Sequence, residues 1–121
     1  MCIDAGGTFT LPRLVGLARA LEIATFDEPI AATQALAWGL VNKVVADTEL
    51  LQTAMNMAQT ILQKSLHTFG WSKRLLTDSF ETPFEAQLER ERQGLVSCAS
   101  HREGIEGMTA FLEKRKPNYK Q

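Results

Sequence analysis

Cysteine is scarce in this sequence. Cys2 and Cys98 are the only two among 121 residues, and they lie far apart. Two thiols cannot staple a small fold, so a disulfide scaffold is excluded. The expectation is two reduced thiols in a cytoplasmic protein. Metal-ligand spacing is lacking too. Cys98 and His101 supply two ligands, and two ligands do not make a site, so no metal is expected. An excess of charge of either sign is missing: 13 Lys and Arg face 14 Asp and Glu, for a net charge of −1. No global field favours nucleic acid or acidic lipid, and neither is expected as a partner. Every apolar run is shorter than the roughly 18 residues a membrane-spanning helix needs. The first ten residues hold an acid and two glycines but no basic region, so no signal peptide is expected. Repeats, low-complexity tracts and linkers are absent. Gly6-Gly7 is not a phosphate loop, since neither the P-loop Lys-Ser/Thr nor a GxGxxG pattern accompanies it.

What is present is ordinary for a globular domain: 45% hydrophobic and 22% charged residues in a chain long enough for one domain. The tail stands out. Lys114, Arg115, Lys116 and Lys120 concentrate cations near the end of the chain, either as a solvated basic tail or as an anion-binding one.

The pattern predicts a mainly α chain of six or seven helices with one short strand. Met1 to Thr8 reads as a loop, and Gly6-Gly7 lets its backbone turn tightly or be approached closely. Leu11-Pro12-Arg13 enters a short helix that Gly16 ends or bends. Ala18 to Phe26 is a second helix, broken at Asp27-Glu28-Pro29 because proline disfavours helix at the preceding residue. A third runs from Ala31 to Trp38 with Gly39 closing it but without a good N-cap. Leu40 to Val45 is short and β-branched, the one convincing strand. A lone strand cannot make a sheet, so it pairs with something outside the chain or is merely extended. Asp47 caps the next helix, whose apolar stripe is Leu50, Leu51, Ala54, Ala58, Ile61 and Leu62. A fifth helix covers Leu66 to Thr77. Thr82-Pro83-Phe84-Glu85 reads as a capping box with proline at the first helical position. That helix pairs an apolar face of Phe84, Leu88, Leu95 and Ala99 with a wet face at Glu89-Arg90-Glu91-Arg92. Ser100-His101-Arg102-Glu103 reads as a second capping box. The final helix carries Ile105, Met108 and Leu112, is weakened by Gly104 and Gly107 in return for close packing, and stops at Pro117.

Three blocks, in register, go further. The first is Asp4-Ala5-Gly6-Gly7-Thr8, then Leu11-Pro12-Arg13-Leu14-Val15-Gly16 and Arg19-Ala20. The second is Ala35, then Gly39-Leu40-Val41-Asn42-Lys43-Val44-Val45. The third is Arg102-Glu103-Gly104, then Ala110 through Pro117. In this order and at these distances the chain resembles the latter half of an enoyl-CoA hydratase/isomerase (crotonase) subunit. The resemblance implies the C-terminal helical portion of a ClpP/crotonase-type fold. It implies an active-site loop and first short helix over residues 1–16 and a helical oligomerisation domain over 17–121. It also implies absences: the family's ββα spiral, most of its CoA pocket, the hydratase-type glutamate, and the backbone N–H pair that stabilises the thioester enolate all belong to the other half. The expectation is a piece of a longer subunit, inert alone. The parent would act on an acyl-CoA thioester, need no separate cofactor because coenzyme A is part of the substrate, and assemble as a trimer or dimer of trimers.

Asp4 is the candidate catalytic residue. The family's hydratases usually have Gly at the matching position; Asp occurs in branches where it is an acid/base in dienoyl-CoA and phenylacetate-pathway isomerases, or a nucleophile in a dehalogenase. A carboxylate on a Gly-rich turn between Ile3 and Ala5 can sit in an apolar pocket that raises its pKa. The alternative is a turn or N-cap residue whose carboxylate binds backbone N–H groups. Phe111 and Lys114 match an aromatic and a lysine that reach CoA in the family, often that of a neighbouring subunit. Without the resemblance, Phe111 reads as core and Lys114 as a cation at a helix C-terminus. His101 is expected to be exposed, His67 to lack an acid partner, and Trp38 and Trp71 to be packing anchors. The reading is double-bond isomerisation, with hydration as runner-up and a non-catalytic helical assembly module as the alternative of another class.

Overall fold

In a computed structural model, which describes residues 2–120, the chain forms two compact units, Met1–Leu50 and Leu51–Gln121. The boundary expected at 16/17 divides the chain by role. In contacts, the helices on either side of Gly16 belong to one unit.

In the first unit, α1 (Gly7–Val15) and α2 (Leu17–Phe26) pack on one another, and α3 (Ala32–Ala37) follows. α1 begins four residues earlier than Leu11, because Gly6 at φ 84 reverses the chain and lets Asp4 O accept Gly7 N–H at 2.8 Å. Pro12 therefore lies inside the helix, not at its start. Gly7 is needed for a second reason: a Cβ there would meet Ile3 Cγ2 at 2.5 Å. α3 ends in a Schellman motif, as the glycine predicted. Gly39 stands at φ 77, Gly39 N–H bonds Leu36 O at 3.1 Å, and Leu40 N–H bonds Ala35 O at 2.9 Å. Ala20 is the buried apolar residue of this unit, and the Arg19 guanidinium lies 4.5 Å over the Trp38 ring.

Two expectations fail next. No strand forms among the described residues: 40–45 carries no ladder and is only an extended segment. A β-branched run needs a neighbouring strand to complete its backbone bonds, and none is at hand. Nor does Asp47 cap a helix. It opens a 3₁₀ turn, Asp47–Glu49, which has no side-chain cap. α4 (Leu50–Ile61) follows directly. Its predicted stripe is real but uncovered, with Leu50, Leu51, Ile61 and Leu62 all exposed.

The second unit is built on α5 (Leu66–Asp78), α6 (Phe84–Ser100) and α7 (Arg102–Leu112), with a 3₁₀ turn at Ser79–Glu81. Its close contacts use glycine. Gly94 is buried under Trp71, where a Cβ would come 3.0 Å from the indole. Gly104 lies on the Cys98 carbonyl so closely that no Cβ fits, and Gly107 lies under the Tyr119 phenol. Both capping boxes fail. Thr82 donates to Asp78 O at 2.7 Å instead of capping α6, whose N-cap is Pro83. Ser100 still belongs to α6 and donates to Val96 O at 2.8 Å. The N-cap of α7 is His101, whose Nδ1 accepts Glu103 N–H at 3.3 Å. The wet face of α6 is as expected, with a 2.7 Å Arg92–Glu89 pair. Its apolar face is not covered: Phe84 is 72% exposed. α7 also stops before Pro117, by a second Schellman motif described below.

Candidate functional site

Asp4 precedes the reversal that starts α1. Its backbone carbonyl serves the turn, and α1 has no side-chain cap, so of the two structural alternatives the N-cap is not formed while the turn residue fits the Gly7 bond. Two successive residues after it have positive φ, Ala5 at 50 and Gly6 at 84. An L-residue in this region costs about 1–2 kcal/mol, so Ala5 holds backbone strain beside the carboxylate. Asp4 and Ala5 are exposed and Ile3 is half-buried. The described residues of this unit therefore do not build the apolar enclosure expected around Asp4.

Phe111 and Lys114 lie together in the second unit. Phe111 sits in the last turn of α7 and is 81% exposed, so it is not a core residue. It borders an open groove of about 530 Å³ whose walls include Gly107, Met108 and Tyr119. Lys114, three residues on, occupies the left-handed position after the helix at φ 54. Lys114 N–H bonds Phe111 O at 3.2 Å and Arg115 N–H bonds Ala110 O at 3.0 Å, the same Schellman pattern that closes α3. There the left-handed residue is Gly39; here it is an exposed lysine. Backbone economy favours glycine at such a position, so the lysine is a local exception.

Carboxylates fix this end of the unit. Glu106 binds Arg115 through both oxygens, at 2.6 and 2.9 Å, and accepts Asn118 N–H at 2.7 Å. The Arg115 guanidinium, then the Asn118 amide, hold its carboxyl down at about 2. The pairing raises Arg115 in turn. Glu103 spans from α7 to the start of α5, accepting Ser65 Oγ–H at 2.8 Å and His67 N–H at 3.1 Å. The Ser65 hydroxyl, then the His67 amide, lower its carboxyl. A carboxylate at a helix N-terminus also matches the helix dipole. So His67 does have an acid at its backbone, contrary to expectation. His101 is half-buried, not exposed, and its ring stacks on His67 with centroids 4.0 Å apart and planes 8° apart. His67 Nε2 lies 3.1 Å from Ser97 Oγ, which also accepts Trp71 Nε1–H at 3.0 Å. Glu103 holds the His67 backbone rather than its ring, so no carboxylate orients the imidazole and the cluster lacks the third member of a nucleophile relay. Among the described residues no group of three His, Cys, Asp or Glu side chains could hold a metal ion.

Glu106 and Glu103 were missed by sequence reasoning. The Glu106–Arg115 separation is not a helical i,i+3 or i,i+4 spacing. Glu103 sits where a capping box would claim it, while its partners lie on another helix.

Comparison with known proteins gives consistent results. A family profile described as Enoyl-CoA hydratase/isomerase matches residues 1–121. A crotonyl-CoA hydratase of Syntrophomonas wolfei is 39% identical over 114 residues, 94% of this chain and 44% of that protein. A 1,2-epoxyphenylacetyl-CoA isomerase of Escherichia coli is 33% identical over 116 residues, 96% of this chain and 44% of that protein. The crystal structure of an enoyl-CoA hydratase from Polaromonas sp. JS666 superposes with a TM-score of 0.92 at 32% identity, covering 99% of this chain and 47% of that one. The chain thus spans less than half the length of the relatives it matches. A hydratase and an isomerase both stand among them, so likeness alone does not choose the reaction.

Proposed function

The chain belongs to the enoyl-CoA hydratase/isomerase family, and from that premise we propose that it is the C-terminal helical part of a subunit that isomerises the double bond of an acyl-CoA thioester. The observation that carries the choice of isomerisation is Asp4: a carboxylate not used as a helix cap, beside strained Ala5. Backbone strain of this kind gathers where geometry serves function. In this reading an acidic side chain elsewhere in the subunit removes an α- or γ-proton. Backbone N–H groups outside these 121 residues hold the enolate oxygen. Asp4, protonated at the start, donates a proton at the other carbon, and the proton taken by the first side chain passes to Asp4 to close the cycle; enclosure by the rest of the subunit supplies the apolar surroundings that this unit lacks. Coenzyme A enters with the substrate, so no separate cofactor is required. Phe111 and Lys114 contact it, the ring by apolar surface and the ammonium by attraction to phosphate.

Subunits associate in this proposal, as a trimer or dimer of trimers. The support is uncovered apolar surface: Leu51 on α4 is 75% exposed and Leu112 on α7 is 79% exposed, surface for the rest of the subunit and neighbouring subunits to cover. The cytoplasm is the proposed location, supported by the free thiols of Cys2 and Cys98. No described helix is long and apolar enough to cross a membrane.

The test is product analysis. The full-length subunit, given a 3-enoyl-CoA, should yield the 2-enoyl-CoA isomer with no gain of water. Accumulation of the 3-hydroxyacyl-CoA as the main product from a 2-enoyl-CoA would establish hydration instead. The same uncovered helices favour one second reading, a helical assembly module without chemistry. A full-length subunit that assembles yet turns over neither substrate would decide for it.

A further inference from the structure

Lys114 stands at the apex of a reversal whose two arms are tied by one carboxylate. Glu106 lies inside α7, and its bidentate pair with Arg115 reaches the residue immediately after Lys114. The same carboxylate accepts the Asn118 amide, and Arg115 Nε is held by Glu113 at 2.6 Å. Tyr119 then lies over Gly107, one residue from Glu106, at a distance where a Cβ would come 3.1 Å from the phenol oxygen. The tail is therefore folded back along α7. This differs in kind from the Arg92–Glu89 pair on α6, which joins neighbours three apart on one helix face. A bidentate guanidinium–carboxylate pair fixes orientation as well as distance. It also commits Arg115 to internal carboxylates, so Arg115 is not the cation a phosphate would meet here.

We propose that Glu106 is a positioning residue for the CoA end of the substrate: by clamping Arg115 and Asn118 back onto α7 it holds Lys114, in its left-handed backbone conformation, as a pre-oriented cation. The inference rests on the reading of Lys114 as a CoA contact. The physical gain is pre-organisation. A lysine on a loose tail loses backbone and side-chain freedom when it meets a phosphate, whereas a lysine on a clamped reversal has lost the backbone part already.

The experiment uses the full-length subunit and two substrates, an acyl-CoA and the matching acyl-pantetheine, which lacks the nucleotide and its phosphates. Lys114→Ala, Glu106→Gln and the double variant are compared. Glu106→Gln should raise KM for acyl-CoA about fivefold, the scale of ordering the backbone of one residue. Its kcat should stay within about twofold and its KM for acyl-pantetheine should not move. In the Lys114→Ala background, Glu106→Gln should add nothing, because the residue it positions is gone. If Lys114→Ala raises KM for acyl-CoA and Glu106→Gln does not, the inference falls and the Lys114 reading stands. If Lys114→Ala is without effect, both fall. Equal losses with both substrates would mean structural damage, not positioning, and would also overturn it. Should the Glu106→Gln subunit fail to fold, Arg115→Lys serves the same comparison, since it keeps the charge but not the bidentate geometry.

Discussion

Replacing Lys114 by glycine should improve stability and impair binding at once. Lys114 holds φ 54 at the end of α7, with Lys114 N–H on Phe111 O and Arg115 N–H on Ala110 O. An L-residue there costs about 1–2 kcal/mol relative to its preferred region. Glycine removes that cost but loses more chain entropy on folding, about 0.5–1 kcal/mol, leaving a net gain near 1 kcal/mol. Unfolding entropy of about 2.1 cal/mol/K per residue gives about 0.25 kcal/mol/K over 121 residues, so Tm should rise by about 4 °C. Lys114→Ala is the control, since it keeps the left-handed strain and should not gain. Thermal unfolding followed by circular dichroism measures this on the chain itself. In the full-length subunit both variants should raise KM for acyl-CoA by about tenfold, as expected for losing a charge-assisted bond of roughly 1.5 kcal/mol to a phosphate, with kcat little changed. A lower Tm for Lys114→Gly than for Lys114→Ala would refute the backbone reasoning. An unchanged KM in both would refute the role of the ammonium.

Two further outcomes follow from the second unit. Gly104→Ala should be severely destabilising, by about 3 kcal/mol or more, because its Cβ would overlap the Cys98 carbonyl, which is backbone and cannot rotate away; a variant with wild-type Tm in a thermal melt would contradict the packing described. The chain should lose stability on the acid side as pH falls from the ordinary 4.5 of a glutamate toward the 2 or so of Glu106. The sign follows from proton binding: a carboxyl held low in the fold takes up its proton more readily when unfolded, so its contribution is complete above 4.5 and is lost on descending to about 2. Glu103 is lowered in the same direction. Denaturant titrations of Glu106→Gln should show a flatter acid limb than those of the wild-type chain, and an identical limb would remove Glu106 as a contributor.

Helices were legible where local rules decide. Leu66 begins α5 as predicted, and Gly39 closes α3 because only a residue tolerant of positive φ completes that motif cheaply. Capping was misread where a hydroxyl found a carbonyl one turn back instead of the amides ahead of it. Thr82 and Ser100 turn their hydroxyls to carbonyls of the preceding turn, while Glu103 reaches from α7 to Ser65, the N-cap of α5, and to the His67 amide. The extended segment 40–45 has strand composition but no partner strand, and composition cannot supply one. Proline was over-read as punctuation: α1 runs through Pro12, and α7 stops at the Lys114 reversal before Pro117 is reached. The resemblance located Asp4, Phe111 and Lys114 by motif. It gave no sign of the Glu106–Arg115 clamp, whose partners meet only once the tail folds back.

Asp4→Asn in the full-length subunit tests the proton-transfer role most directly. Asparagine keeps the size and the turn-forming tendency of aspartate but cannot carry the proton. The predicted result is a fall in kcat of about 100-fold or more on a 3-enoyl-CoA, with KM and Tm nearly unchanged. Full isomerase activity in a stable Asp4→Asn subunit would contradict it, and would place the chemistry entirely in the part of the subunit outside these 121 residues.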